Sequence, residues 1–443
     1  MKKILIVLFS FMITSTSVDA KNINKTLNDF KINKSAVAIS VRNADTGKVI
    51  YEHNSKKPMI PASTLKAVTY TYSLDTLGDD YNFSTQLYKN NNNELILKLG
   101  ADPYLKTKDL KSLLKSAKDN DVFEPTSFKV DDTIIDNIEW GEGWQWDDAL
   151  NPLMPKFSAY NLDKNILEIE VLPTKLGAPA EIKLNQFYTT TFMNLVTTDK
   201  AENNVSIYKD PSIAADIISI QGSVSKKETL FMPINYPKRY FIIHLEEQIR
   251  NTKLGYYKPI IKTKSEDYTN YTLIDEITNP ISDATIDVMQ NSDNLVAETV
   301  FKLTSTNNNS TGSAKNSIEK LYKYCKNLNI NTEDIKIVDG SGVSKNNLVT
   351  ADFMTTFLTK QELTKKIMAQ PGDGTLKNRM LYFRDNLKAK TGTLNDVSAI
   401  AGYITTLSGK TYAFDIMIND PKSRPSEKKM LEEQILRTIF TSY

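Results

Sequence analysis

Residues 59–66 read Met59-Ile60-Pro61-Ala62-Ser63-Thr64-Leu65-Lys66. Pro61 precedes a stretch of helical character from about Ser63 to Leu77. Positions three apart share a helix face, so the Ser63 hydroxyl and the Lys66 amine can meet. A serine hydroxyl is a poor nucleophile until a base takes its proton. A lysine is such a base only when its pKa falls, through burial or a second nearby cation. The four residues before Ser63 carry no charge, which suits a buried helix start. Taken alone, the tetrapeptide has a plainer reading: Ser63 caps the helix and Lys66 is solvated.

Composition narrows the chemistry around this stretch. The 443 residues suit two or three domains. With 40% hydrophobic and 24% charged residues, the chain is neither disordered nor fibrous. Lys+Arg 55 against Asp+Glu 53 leaves a net charge of +2, which gives no basic footprint for nucleic acid. The single cysteine, Cys325, excludes an internal disulfide and cysteine-rich metal sites. The two histidines, His53 and His244, leave little for a His-dependent metal site or a Ser-His-Asp triad. No metal and no cofactor is expected. His53 and His244 read as packing or surface residues, and Cys325 as a buried apolar filler.

The N-terminus reads as an address. Met1-Lys2-Lys3, an apolar run over residues 4–13 and a small-residue end at Val18-Asp19-Ala20 form the three parts of a signal peptide over 1–20. The apolar run is too short to span a bilayer as a helix. An exported protein without a transmembrane segment is expected, in the periplasm or on the outer face of the bacterial cytoplasmic membrane. A homodimer is compatible with the chain.

Further along, residues 36–42 and 48–52 predict a hairpin around Asn43–Gly47, and 84–99 a second one around Asn90–Asn93. Residues 122–235 carry many short β-type runs. Helices are expected at 238–252, twice within 282–304, and at 314–328. Strands are expected at 386–391, 397–404 and 411–418, then a closing helix at 426–440. The expected architecture is one α/β (α+β) core split in sequence. Residues 21–87 and 266–443 form it, around a mostly-β inserted module at 88–265, divided near 165 into about 88–165 and 166–265. The closing helix spaces Met430, Leu431, Ile435, Ile439 and Phe440 for one apolar face, expected to pack on the core sheet.

Two more tripeptides complete the argument. Ser292-Asp293-Asn294 falls between two helical stretches, where its side chains can project from a loop. Lys390-Thr391-Gly392, followed by Thr393, sits at a predicted strand. Each is weak alone. In the order S-x-x-K, S-x-N, K-T-G, behind a signal peptide, they resemble the active-site set of penicillin-binding proteins and class A β-lactamases. That resemblance implies roles. Ser63 attacks a peptide carbonyl, Lys66 accepts its proton, and Ser292 passes a proton to the leaving amine. Asn294 hydrogen-bonds the substrate amide. Lys390 lowers the Lys66 pKa by its charge and attracts a substrate carboxylate, to which Thr391 donates. Gly392 lets the strand backbone approach the substrate. The N–H groups of Ser63 and Thr393 form an oxyanion hole.

Ser63 and Ser292 stand 229 residues apart, room for a large insertion. With Gly100-Ala101-Asp102-Pro103, the Trp-rich 140–148, and residues 339–350 and 371–379, the chain resembles the low-molecular-mass class C penicillin-binding proteins of the penicillin-binding protein 4 type, peptidase family S13. The resemblance implies a β-lactamase/DD-peptidase-like fold with an antiparallel core sheet. It implies serine D-alanyl-D-alanine carboxypeptidase activity, with DD-endopeptidase activity, on peptidoglycan stem peptides, and acylation by β-lactam antibiotics. It also implies that Asp148, Lys345 and Asn395, with Trp146, face the stem-peptide side chain. Lys345 stands where relatives commonly carry Arg, keeping the charge but losing the fork. Trp140, Trp144 and Trp146 either pack the insert on the core or line the cleft. The competing functions are a serine β-lactamase and a non-catalytic wall-binding module. Labelled penicillin separates the three by stable labelling, rapid turnover or no labelling.

Overall fold

The computed structural model describes residues 19–210, 217–263, 268–306 and 310–442. The expected leader therefore lies outside the described residues, except for Asp19 and Ala20, which begin the Asp19–Asp29 helix.

The core is a five-stranded antiparallel sheet in the order Leu387–Leu394, Val397–Thr405, Thr411–Asn419, Val37–Asn43, Val49–His53. Val37–Asn43 pairs with Thr411–Asn419 from Val37↔Ile418 to Asn43↔Tyr412, which joins the two ends of the chain. Alternation along the strands builds two apolar faces. Ile39, Phe414, Ile416 and Ile418 pack with Ile23 and Leu27 of the first helix and Leu431, Ile435 and Ile439 of the closing helix Pro425–Ser442. Met430, expected on that apolar face, is exposed. The opposite face packs on Lys66–Leu77 and Ala351–Lys360. Lys66–Leu77 is buried from Lys66 to Leu74, because the sheet and the Asn294–Leu303 helix enclose it.

The insertion has its own sheets. One runs Ile261–Thr263, Ser127–Asp131, Glu94–Lys98, Asn82–Asn90, Tyr271–Pro280. The expected border at 88 thus falls inside a strand. Asn82–Asn90 and Tyr271–Pro280 pair with each other along their length, from Tyr271↔Asn90 to Pro280↔Asn82, so both belong to this sheet. Glu94–Lys98 and Ser127–Asp131 are parallel, which requires a crossover. The Thr107–Asp119 helix supplies it, burying Leu110, Leu113, Leu114 and Ala117. Their i, i+3, i+4, i+7 spacing is a helical signal in a stretch that carried no assignment above. Two three-stranded sheets follow within 166–233. The Pro237–Thr252 helix then returns to pack on Thr107–Asp119, so it groups with the first sheet rather than with the 166–265 half. No helix among the described residues is long and apolar enough to cross a membrane.

One residue of the core sheet is costly. Asp415, opposite Ser40 and Ala401, is fully buried, and neither carboxyl oxygen has a protein partner among the described residues. Burial, and then the nearby Glu432, holds its pKa well above the usual carboxylate range. The folded state therefore keeps the proton, and stability present at low pH is lost as pH rises toward the folded-state pKa. Asp415→Val should stabilise the protein at pH 7 by about 1–3 kcal/mol, with a gain that shrinks toward pH 4. Denaturant unfolding at the two pH values measures this, and an equal or lower stability at pH 7 contradicts it.

Candidate active site

Ser63 lies on a 3-10 turn, Ala62–Leu65, that runs directly into the Lys66–Leu77 helix. It makes no helix-capping bond, so the plainer reading of the tetrapeptide fails. Ala62, just before it, has φ 49, a left-handed conformation that persists only under tight packing. Two glycines provide that packing. A Cβ on Gly342 would lie 2.1 Å from the Ala62 carbonyl oxygen, and one on Gly392 2.9 Å from the Ser63 nitrogen. Only glycine lets the 339–342 loop and the Leu387–Leu394 strand close on the turn.

Lys66 is fully buried. Its Nζ lies 3.0 Å from Ser63 Oγ, 2.7 Å from Asn294 Oδ1 and 2.6 Å from the Ser341 carbonyl oxygen. Burial pulls its pKa down to about 8, against the opposing pull of Asp339, Glu298 and Asp293. As a neutral amine it keeps two N–H groups for Asn294 and Ser341 and turns its lone pair to the Ser63 hydroxyl. Lys390 Nζ donates to Ser292 Oγ at 2.9 Å and to the Thr391 carbonyl at 3.0 Å. Its pKa lies well below the ordinary lysine value, through burial first and then the charge on Lys66. Burial is thus the larger cause for both amines, and their mutual repulsion, expected to act on Lys66, adds to it.

Three distant stretches thus meet at one cleft of about 440 Å³, lined by Ser63, Ser292, Asn294, Thr391 and Thr393, with Lys66 and Lys390 buried beside it. The Thr391 hydroxyl donates to Thr375 Oγ1 at 2.7 Å. Asp148, Lys345 and Asn395 line the same cleft. Burial raises the Asp148 pKa, the neighbouring Asp147 adds to this, and the charge on Lys345 opposes it. Lys345 Nζ is 3.6 Å from Asp396 Oδ2. Trp146 does not join them: it is 72% exposed and lies outside the cleft lining. Trp144 is the tryptophan of that loop at the cleft, and it both packs and lines. Its Nε1 donates to Asp339 Oδ2 at 3.0 Å, and its ring stands edge-on to Trp140. A larger groove of about 1010 Å³ lies between residues 29–36, 57–60 and 419–430, but holds none of the triplet residues. Among its charged residues, Lys57 donates to the Ser35 carbonyl, Arg424 pairs with Glu427, and Asp420 accepts from Ser423.

Supporting residues outside the three short motifs hold the site. Asp339 accepts from the backbone of Gly342 and Ser344 and from Asn347 as well as Trp144, which shapes the loop presenting the Ser341 carbonyl. Glu298 is buried and accepts from the Gly340 and Ser341 N–H groups. Burial and Asp339 push its pKa up. A lone acid in the apolar run Asn294–Leu303, one turn after Asn294, was its only sequence signal. Asn294 Nδ2 donates to the Leu153 carbonyl at 2.8 Å, which points its oxygen at Lys66. His53 bonds the Lys34 carbonyl, His244 is buried against Tyr240 and the Phe187 carbonyl, and Cys325 is a buried free cysteine, so none joins the site.

The sequence profile of the D-Ala-D-Ala carboxypeptidase 3 (S13) family matches residues 19–438. The chain belongs to that family. It is a serine hydrolase, a D-Ala-D-Ala carboxypeptidase by class. It is 24% identical to the D-alanyl-D-alanine carboxypeptidase of Actinomadura sp. (strain R39), over 92% of this chain and 81% of the relative. Its fold is similar to the crystal structure of penicillin binding protein 4 from Haemophilus influenzae, with a TM-score of 0.80, 23% identity, and coverage of 95% of this chain and 98% of that one. The same Haemophilus protein complexed with a β-lactam gives a TM-score of 0.75 at 20% identity, over 95% and 99% of the two chains.

Proposed function

We propose that the chain removes the terminal D-Ala of peptidoglycan stem peptides through an acyl-enzyme on Ser63, with Lys66 as general base. The observation that carries this reading is the fully buried Lys66 amine, 3.0 Å from Ser63 Oγ, with its pKa pulled to about 8. The proton moves from Ser63 to Lys66 as Oγ attacks the carbonyl carbon. Ser292, bonded to Lys390, returns a proton to the departing D-Ala amine. Thr391 and Lys390 receive the terminal carboxylate. That anion favours the charged form of Lys390, whose charge then disfavours a charged Lys66 and frees the base. The N–H groups of Ser63 and Thr393 stabilise the oxyanion. A cross-link offers the same acyl donor with a larger leaving amine, so the reading includes endopeptidase action. β-Lactams acylate the same hydroxyl, and the protein works outside the cytoplasmic membrane after export.

The pH dependence tests the base. A lysine with a lowered pKa is active only when unprotonated, so kcat/KM for D-Ala release from a pentapeptide should rise with pH through about 8. A rate flat from pH 6 to 9 would assign the proton to another group.

Asp148, Lys345 and Asn395 are proposed to recognise the free end of the stem-peptide side chain. Asp148 pairs with its ammonium, Lys345 with any carboxylate beside it, and Asn395 hydrogen-bonds to either. The charge interaction between Asp148 and Lys345 across the cleft supports this. Asp148→Ala should lower kcat/KM about 5- to 30-fold for a peptide bearing a free side-chain amine, yet leave penicillin acylation unchanged. An equal fall in both reactions would make Asp148 a structural residue.

A further inference from the structure

The inserted segment reaches into the S-x-N turn. Lys164 lies in it, within the short helical turn Asp163–Asn165. Its Nζ bonds Asp287 and lies 3.0 Å from Asp293 Oδ2. These carboxylates flank Ser292: Asp287 belongs to the π-helical turn Ile286–Gln290, and Asp293 precedes the Asn294–Leu303 helix. Asp293 divides its oxygens, since Oδ1 accepts from Val296 N at 3.0 Å and caps that helix while Oδ2 faces Lys164. The Tyr104 ring lies 4.7 Å from the ammonium, and its hydroxyl donates to Asp287 Oδ2 at 3.0 Å.

Both sides of this contact are strained. Asp163, Lys164 and Asn165 have φ of 50, 59 and 53, three consecutive left-handed residues without a glycine. Such backbone persists only where its surroundings over-determine it. Asp163 is tied by Thr107 and by the Tyr240 hydroxyl, and Asn165 by the Lys156 carbonyl and Asn161. What remains free to project from this locked turn is the Lys164 side chain. Across the contact, Ser292 itself has φ 64. Removing the cation would leave two adjacent carboxylates repelling each other across the turn that holds Ser292 in this conformation.

We propose that Lys164 is a positioning residue for Ser292: by binding Asp287 and Asp293 together it keeps the turn between them in the conformation that aims the Ser292 hydroxyl at Lys390. The insertion is then part of the acylation machinery, since its Leu153 carbonyl orients Asn294 from the other side of the same tripeptide. This inference rests on the proposed role of Ser292.

The test is the kinetics of acylation by a fluorescent penicillin, resolved into the binding constant and the limiting acylation rate. Lys164→Met should lower the limiting rate roughly 10- to 100-fold, with the binding constant and the final labelling stoichiometry unchanged. Lys164→Arg, which keeps the charge, should recover most of the rate. In a Ser292→Ala background, Lys164→Met should add less than a threefold further loss, because it acts through Ser292. A limiting rate within twofold of the parent in Lys164→Met, or a full additional loss in the Ser292→Ala background, would overturn the inference. Reduced stoichiometry in Lys164→Met without rescue by Lys164→Arg would also overturn it, showing that Lys164 only holds the fold. Ser292→Ala alone keeps the two readings separable. If it leaves the limiting rate unchanged, the assignment of Ser292 fails; if it slows acylation while Lys164→Met does not, only the positioning role fails.

Discussion

Ser63→Ala should abolish covalent labelling by penicillin and release of D-Ala from a pentapeptide, while the protein keeps its fold. The chemical half of this expectation is direct, since the proposed acyl-enzyme bond is to Ser63 Oγ. The structural half follows from geometry. Ser63 does not cap the helix, so the variant loses no cap. Its hydroxyl is one of three partners of Lys66, and Asn294 and Ser341 remain. The loss is one hydrogen bond, about 0.5–1.5 kcal/mol, and the strained turn around Ala62 stays packed under Gly342 and Gly392. Intact-protein mass spectrometry after incubation with penicillin reads the first outcome, and thermal unfolding the second. A stoichiometric adduct on the folded variant would remove Ser63 from the mechanism.

The second large effect is expected at Lys66. Lys66→Arg retains a cation but has no proton acceptor near neutral pH. The rate of acylation should fall by about 10²–10⁴-fold, the usual contribution of general base catalysis. The pocket also opposes the change sterically. Three oxygens converge on the single Nζ of a fully buried side chain, and a planar guanidinium cannot place one nitrogen among all three. The rise of rate with pH through about 8 should disappear from whatever activity remains. Stopped-flow acylation across pH 6–9 gives both numbers. A rate within tenfold of the parent with the same pH profile would mean that another group accepts the Ser63 proton.

These two residues also show how far the sequence alone reached. The tetrapeptide at 63–66, the two tripeptides and their order pointed to the site, because a nucleophile, its base and their partners need particular atoms at particular spacings. The strands of the core sheet were readable as well, since alternation between two packed faces writes itself into the residue pattern. Thr107–Asp119 was readable in principle through Leu110, Leu113, Leu114 and Ala117, but it sits between strands as a crossover.

What only the tertiary structure decided are the quantities that depend on neighbours remote in sequence. The borders of the insertion fall where Asn82–Asn90 meets Tyr271–Pro280, because strand pairing is a contact between segments and leaves no mark on either one. The cause of the Lys66 shift is burial by the sheet and the Asn294–Leu303 helix, and desolvation is a property of the surroundings rather than of the residue. Trp144 reaches Asp339 while Trp146, two residues on, faces solvent, though composition treats them alike. Glu298 acts by accepting from the Gly340 and Ser341 N–H groups, and Ser341 through its own carbonyl, and such backbone groups are carried by every residue and leave no mark on the sequence. Local pattern therefore determined which atoms are candidates for the chemistry, and long-range packing determined how they are charged, aimed and held.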